Sequence, residues 1–250
     1  MHPSKIKQHL SYLLPKESLS SEIWLSDNTL APDVRDALLK IADEFIDFLN
    51  IDADVDDVIF TGSLANYNYT KFSDIDLHIL LDFNEVDENL DLVRDFMIAK
   101  KSLWNDRHDI EVKGHEVELY AQDINEPHHS TGVYSVEDDD WIVTPTKSKS
   151  DVSLRDVREK AKSLMNQIDK ALKTSEKIEK IDKLKEKIRN MRKSGLERSG
   201  EFSVENLAFK VLRRNGYLEK LYDISRKEYD KSLSLKQENL IKNYIRLLHI

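Results

Sequence analysis

Residues 74–81 read Asp74-Ile75-Asp76-Leu77-His78-Ile79-Leu80-Leu81, and this run is the most informative stretch of the sequence. Successive side chains of a β-strand point to opposite faces, so the run predicts a strand with Asp74, Asp76 and His78 on one face. The intervening isoleucine and leucine residues then share the face that packs against a core. Carboxylates this close repel each other, and a bound divalent cation removes the repulsion. Two solvated aspartates at a strand end are the plainer interpretation of Asp-x-Asp by itself.

A short apolar strand is predicted just before this run. Val58-Ile59-Phe60 is apolar and is followed by Thr61-Gly62-Ser63. A glycine at the end of a strand lets the backbone approach a phosphate closely. A helical turn after it would point N–H groups and the Ser63 hydroxyl at that phosphate. Gly62 and Ser63 are therefore candidate nucleotide-binding residues.

Taken together, the two segments match a known pattern. Gly62-Ser63, a spacer of nine residues and Ser73-Asp74-Ile75-Asp76-Leu77 resemble the signature of the DNA polymerase β nucleotidyltransferase superfamily. The resemblance covers residues 57–123, about a quarter of the chain. It implies a nucleotidyltransferase that transfers a nucleoside monophosphate from a nucleoside triphosphate to an acceptor hydroxyl and releases pyrophosphate.

The superfamily also has a third carboxylate on a later strand. Residues 115–121 alternate in polarity, which places Glu116, Glu118 and Tyr120 on one face of a predicted strand. Glu118 has apolar neighbours on both sides, as in the family's pattern, so we prefer it to Glu116; the family often has aspartate here. By the resemblance, Asp74, Asp76 and Glu118 are catalytic and hold two Mg²⁺ ions. One ion binds the triphosphate, and the other lowers the pKa of the acceptor hydroxyl.

The remaining pattern predicts an α+β fold with two domains. Helices are expected over residues 32–49 and 87–104, and a hairpin-like pair of strands over 109–112 and 115–121, so a small mixed sheet carries helices. A polar linker at residues 144–150 separates a nucleotidyltransferase catalytic domain, 1–146, from an all-helical basic domain, 147–250. A helical tract over 151–193 is expected to bend near residues 173–176 and to end at Ser194-Gly195.

Charge is divided between the two halves. Up to Thr146 there are 11 Lys and Arg against 31 Asp and Glu, and after it 27 against 16. Lys210, Arg213 and Arg214 lie at helical spacing on one face. We predict that Lys210 and Arg213 help bind the nucleotide and that the basic half binds an RNA acceptor, transfer going to an RNA 3′ hydroxyl such as a tRNA end. A basic helical face that is merely solvated is the plainer interpretation.

Two other functions remain open from the sequence. One is the same chemistry on a protein or small molecule, as in antitoxin-type or drug-modifying relatives. The other is a non-catalytic nucleotide-binding protein that kept the fold. The acid cluster argues against the latter, because a protein that binds no metal gains nothing from carboxylates that repel each other.

Composition excludes other classes. The 250 residues contain no cysteine, so there is no disulfide and no thiolate metal site. No run approaches the 18 or so apolar residues of a membrane span, and the first residues lack the apolar core of a signal peptide. The sequence therefore predicts a cytoplasmic protein that does not bind membranes.

Overall fold

The structure is a computed structural model that describes residues 10–127, 130–147, 151–173 and 177–234. The chain divides into two compact units, one formed by Tyr12–Ser150 and the other by Met1–Ser11 with Asp151–Ile250. The assignment of a catalytic domain to 1–146 and a basic domain to 147–250 stays a prediction. Within the described ranges, no helix is long and apolar enough to cross a membrane.

The first unit contains a six-stranded mixed sheet with the strand order β3-β4-β2-β1-β5-β6. Strands β2 and β4 run parallel, whereas the other neighbouring strands are antiparallel. The strands are β1 (Val55–Thr61), β2 (Ile75–Leu81), β3 (Glu111–Val112), β4 (His115–Asp123), β5 (Val133–Ser135) and β6 (Asp140–Val143).

Helices pack on one face of this sheet. They are α1 (Pro32–Leu49), the single turn α2 (Phe83–Val86) and α3 (Leu90–Asn105). Proline starts α1, where its fixed φ suits a helix, and the Asn89 side chain caps α3 by accepting a hydrogen bond from the Leu92 N–H at 3.3 Å. The apolar faces of α1 and α3 join Phe60 of β1 and Leu77 of β2 in one buried core. The predicted α+β fold with a small mixed sheet is confirmed.

The second unit is helical, as predicted. Its helices are α4 (Leu154–Ala171), α5 (Lys177–Ser199), α6 (Val204–Arg214) and α7 (Tyr217–Leu233). The long apolar pattern is divided between α4 and α5, which confirms the expected break. The sequence also predicts helices over residues 203–214 and from 217 to about 231, which α6 and α7 confirm, and a last helix near the C-terminus, which lies outside the described residues.

The predicted end of the long tract at Ser194-Gly195 is wrong, because α5 continues through both residues to Ser199. A Cβ at Gly195 would lie 2.5 Å from Glu205 Cβ and 2.9 Å from Ser203 Oγ. Gly195 therefore allows α5 to approach the start of α6 closely. It is a packing glycine within a helix and not a helix stop.

A second difference concerns residues 130–135, whose small and hydroxyl-rich sequence predicts a substrate-binding loop or an ordinary turn. Val133–Ser135 form strand β5, in which Tyr134 is fully buried. Residues 134 and 135 pair with Phe60 and Ile59 of β1. Three residues are too few to establish an alternation of polarity, so the strand leaves no periodic signal in the sequence.

Candidate active site

On the face of the sheet opposite the core, strands β1, β2 and β4 bring Thr61, Asp76 and Glu118 side by side. We call Asp76 and Glu118 the acidic row. The Cα of Asp76 pairs with Thr61 on β1 and with Glu118 on β4. Asp76 and Glu118 are both half-buried, whereas Glu116 is exposed. The parallel register therefore places Glu118, the preferred third carboxylate, directly beside Asp76.

The alternation predicted for β2 is confirmed. Ile75, Leu77 and Ile79 are fully buried in the core, whereas Asp74, Asp76 and His78 are half-buried on the other face. Asp74 lies just before the first residue of the strand. The pKa of Glu116 is raised, first by its partial removal from water and then by the carboxylates of Asp74 and Glu118. The acids of this face thus act electrostatically on one another.

Gly62 packs against the acidic row itself. Its φ is +79°, in the left-handed region that favours glycine, and a Cβ there would lie 1.9 Å from Asp76 Oδ2 and 2.8 Å from Asp76 Cγ. The sequence suggested that this glycine makes room for a phosphate. In the structure its absent side chain makes room for the Asp76 carboxylate.

Ser63 ties the loop after β1 to the start of β2. Its Oγ donates a hydrogen bond to Ser73 Oγ at 2.7 Å, and Ser73 Oγ accepts one from the Thr70 N–H at 2.9 Å. The segment between Gly62 and Ser73 contains turns and no helix, and residues 62–65 form a turn directly after β1. Ser63 therefore helps to position the residue that precedes Asp74.

Two residues that the sequence argument did not assign complete this face. The Tyr120 hydroxyl donates a hydrogen bond to Glu118 Oε2. The Lys101 Nζ, from α3, lies 3.6 Å from the centre of the Tyr120 ring. Burial lowers the pKa of Lys101, and the carboxylates of Glu118 and Asp76 act in the opposite direction. The pKa of Tyr120 is raised, first by burial and then by its hydrogen bond to Glu118.

The next row of the sheet is polar but carries no acid. His78 and Tyr120 are Cα partners, and their rings stack with centroids 4.6 Å apart. The His78 Nδ1 lies 2.7 Å from Gln122 Oε1, and its Nε2 lies 3.4 Å from Thr61 Oγ1. These four side chains border a cavity of about 360 Å³, which also reaches Ala121, Glu126, Pro127 and Ser130.

The donor chemistry of the acidic row suits magnesium. Asp76 and Glu118 offer only oxygen, which is the ligand type that Mg²⁺ prefers. Among the residues that the structure describes, no group of three or more His, Asp or Glu is arranged to hold a metal ion. Asp76 and Glu118 form the adjacent pair, and Asp74 precedes them at the strand end.

The two basic residues predicted to bind nucleotide lie on α6, in the helical unit. The Lys210 Nζ is 3.7 Å from Glu201 Oε2, and burial lowers the pKa of Lys210. Arg213, one turn further on, is exposed. Lys210 is thus held by an acid of its own unit, and nucleotide binding by either residue stays a prediction.

Comparison with known proteins adds little. No protein-family model matches the chain, and no curated protein is similar to it. One similar solved structure is that of a STING-associated CdnE c-di-GMP synthase from Capnocytophaga granulosa. It is 12 % identical, with 80 % of this chain and 84 % of that chain covered at a TM-score of 0.24. A likeness this slight carries no argument about function, which must rest on the site itself.

Proposed function

We propose that this protein transfers a nucleoside monophosphate from a nucleoside triphosphate to an acceptor hydroxyl and releases pyrophosphate. The observation that supports this most is the pairing of Asp76 with Glu118 in the parallel register, with Gly62 packed against Asp76. Half-buried carboxylates are held side by side here at the cost of mutual repulsion. A site that binds a cation and a polyphosphate explains why a fold would keep such a pair.

Each residue of the face has a role in this proposal. Asp74, Asp76 and Glu118 would hold magnesium. The metal, when bound, supplies charge neutralisation for the triphosphate and lowers the pKa of the attacking hydroxyl. Glu118 receives the hydroxyl proton, and the hydrogen bond from Tyr120 fixes the orientation of its carboxylate. Lys101 contributes positive charge beside Glu118 and Asp76, which reduces repulsion among the acids.

The decisive test replaces Asp76 with asparagine. Asp76→Asn keeps the size of the side chain but removes one charge, so transfer from a labelled nucleoside triphosphate should be lost. The metal-free protein should unfold at the same or a higher temperature, because repulsion within the row is relieved. Added magnesium should raise the thermal midpoint of the wild type and leave that of the variant unchanged.

A matched pair of variants tests which glutamate acts as the third carboxylate. Glu118→Gln should abolish transfer, whereas Glu116→Gln should retain most of it, because Glu116 is exposed and lies outside the Asp76 row. Undiminished transfer by both Asp76→Asn and Glu118→Gln would refute the proposed function.

The acceptor predicted from the sequence is an RNA 3′ hydroxyl, and its support is the charge of the second half. Much of that charge is paired within the helical unit. Lys160 and Arg198 both contact Glu205, the latter at 3.1 Å, and Lys220 lies 3.6 Å from Asp169. Fewer cations are therefore available to phosphates than the sequence count suggests.

Salt dependence tests the RNA acceptor. If Lys210 and Arg213 contact RNA, replacing both with glutamine should flatten the plot of log binding constant against log salt by about 1.4 units, at roughly 0.7 per phosphate. An unchanged slope, with transfer from the triphosphate intact, would direct attention to a protein or small-molecule acceptor.

A further inference from the structure

The cavity beside the acidic row is a small, shaped space. Its volume of about 360 Å³ lies near the lower end of the range for ligand pockets, about 300–1,000 Å³. A space of this size accommodates one ring system with its substituents.

The cavity is bordered by neutral hydrogen-bonding groups. Gln122 Oε1 lies 2.7 Å from His78 Nδ1, and His78 Nε2 lies 3.4 Å from the Thr61 hydroxyl. An imidazole, a carboxamide and a hydroxyl can each donate or accept a hydrogen bond, and together they suit a ligand that bears hydroxyl groups.

The charges around the cavity do not suit a phosphate. None of the described residues that line it is lysine or arginine. The one carboxylate, Glu126, lies 3.3 Å from the Arg94 guanidinium. A phosphate would therefore meet an acid and, among the described residues that line the cavity, no lysine or arginine. A neutral ring meets the Tyr120 ring and neutral hydrogen-bonding groups.

The cavity begins beside the acidic row, since Thr61 is the Cα partner of Asp76, and it extends along the strands to the next row. His78 and Tyr120 each follow a row member, Asp76 and Glu118, by two residues. At about 3.3 Å per residue, the two rows are about 7 Å apart. A ring compound in the cavity could thus extend a hydroxyl to the acidic row.

We propose that this cavity binds the acceptor, and that the acceptor is a neutral, hydroxyl-bearing ring compound the size of a monosaccharide or a nucleoside. Its role as the acceptor site rests on the proposed function, whereas binding of such a compound does not. The inference therefore favours a small molecule over the phosphate backbone of an RNA.

Binding is measured without nucleoside triphosphate or metal, by ligand-observed NMR on the full chain. The probes are uridine, glucose and uridine 5′-monophosphate. Uridine or glucose should bind, and whichever binds identifies the source of the ring. The monophosphate should bind at least roughly tenfold more weakly than uridine, because it brings charge to a site whose described lining residues include no lysine or arginine.

Two variants and one control localise the binding. Gln122→Leu and Thr61→Val each remove a polar group of the cavity, and each should weaken binding of the neutral probe roughly tenfold. The control is Asn125→Leu, the same kind of change at an exposed carboxamide that does not line the cavity. A thermal melt of each variant shows whether it is folded. If Gln122→Leu does not fold, Thr61→Val alone tests binding in the cavity.

The outcomes separate the two proposals. If neither neutral probe binds, or if uridine 5′-monophosphate binds better than both, the inference is overturned even when nucleotide transfer is observed. Probe binding that the control variant weakens as much as the cavity variants also overturns it. If a neutral probe binds in the cavity but no transfer is detected, the binding site stands and the proposed transferase function fails.

Discussion

The contact between Gly62 and Asp76 yields the sharpest prediction. Gly62→Ala adds one methyl group at a residue with φ +79°, where that methyl would lie 1.9 Å from Asp76 Oδ2. Such an overlap forces the carboxylate to rotate away or the loop to shift. Either movement displaces Asp76 from its place beside Glu118, so the variant should fail in the chemistry that the acidic row performs.

Gly114 provides a matched control in the same unit. Its φ is +76°, nearly that of Gly62, but an added Cβ would have nothing within 4 Å. Gly114→Ala should therefore lower the free energy of unfolding by the backbone strain alone, about 1–2 kcal/mol. Gly62→Ala adds the overlap, for which overpacking gives about 1–3 kcal/mol more. The difference between the two variants isolates the contact with Asp76.

Urea unfolding followed by tryptophan fluorescence measures both variants, because Trp24, Trp104 and Trp141 all lie in the unit that contains the sheet. Transfer from a labelled triphosphate is measured beside it. We expect Gly114→Ala to retain transfer and Gly62→Ala to lose it by at least roughly a hundredfold, the loss that about 2.7 kcal/mol of transition-state stabilisation produces. Equal stability and equal transfer in the two variants would show that the contact between Gly62 and Asp76 has no role in either.

Two further predictions concern single contacts. Tyr120→Phe keeps the ring that stacks on His78 but removes the hydrogen bond to Glu118. Transfer should therefore fall roughly tenfold, while the thermal midpoint changes little. A variant that unfolds, or that keeps full transfer, would contradict this prediction. The pKa of Glu205 is lowered from 4.5, chiefly by the hydrogen bond that its carboxylate accepts from Lys160. The stability that this carboxylate contributes is therefore present above pH 4.5, and it is lost as the pH falls through the lower pKa of the folded state. Glu205→Gln should reduce stability at pH 7 and flatten this dependence of stability on acid pH. The control Glu179→Gln changes a side chain that is 69 % exposed, and it should change neither quantity. Equal effects of the two variants would mean that the burial of Glu205 is irrelevant.

Part of the fold follows directly from the periodicity of the sequence. The strict alternation from Asp74 onward predicted β2 and its two faces, because only one register buries Ile75, Leu77 and Ile79 together. The apolar spacing of α1 likewise gave its bounds, residues 32–49, without error. Tyr120 had a signal as well, since period two places it on the face of Glu118.

Other features depend on contacts between residues distant in sequence, and no local pattern reports them. From the sequence alone Gly195 is typical of a helix end, whereas in the structure Glu205 of α6 packs against it. The sequence around Gly62 is typical of a phosphate-binding loop, whereas a Cβ at Gly62 would first meet the side chain of Asp76, fourteen residues later. Lys101 belongs to a helix whose sequence gives no hint that it meets the Tyr120 ring. Because tertiary packing decides these roles, the sequence could not assign them.

The parallel pairing of β2 with β4 connects these features. Parallel strands cannot be joined by a tight turn, so the chain must cross over between Leu81 and His115, and it does so through α2 and α3. In the register of this parallel pair, Asp76 lies opposite Glu118. A shift of the register by one residue would place Val117 or Leu119 opposite Asp76 and would turn Glu118 to the core face. The same crossover carries Lys101 to the acids. The helix that makes the parallel pair possible therefore also supplies a cation to the carboxylates that the pairing brings together.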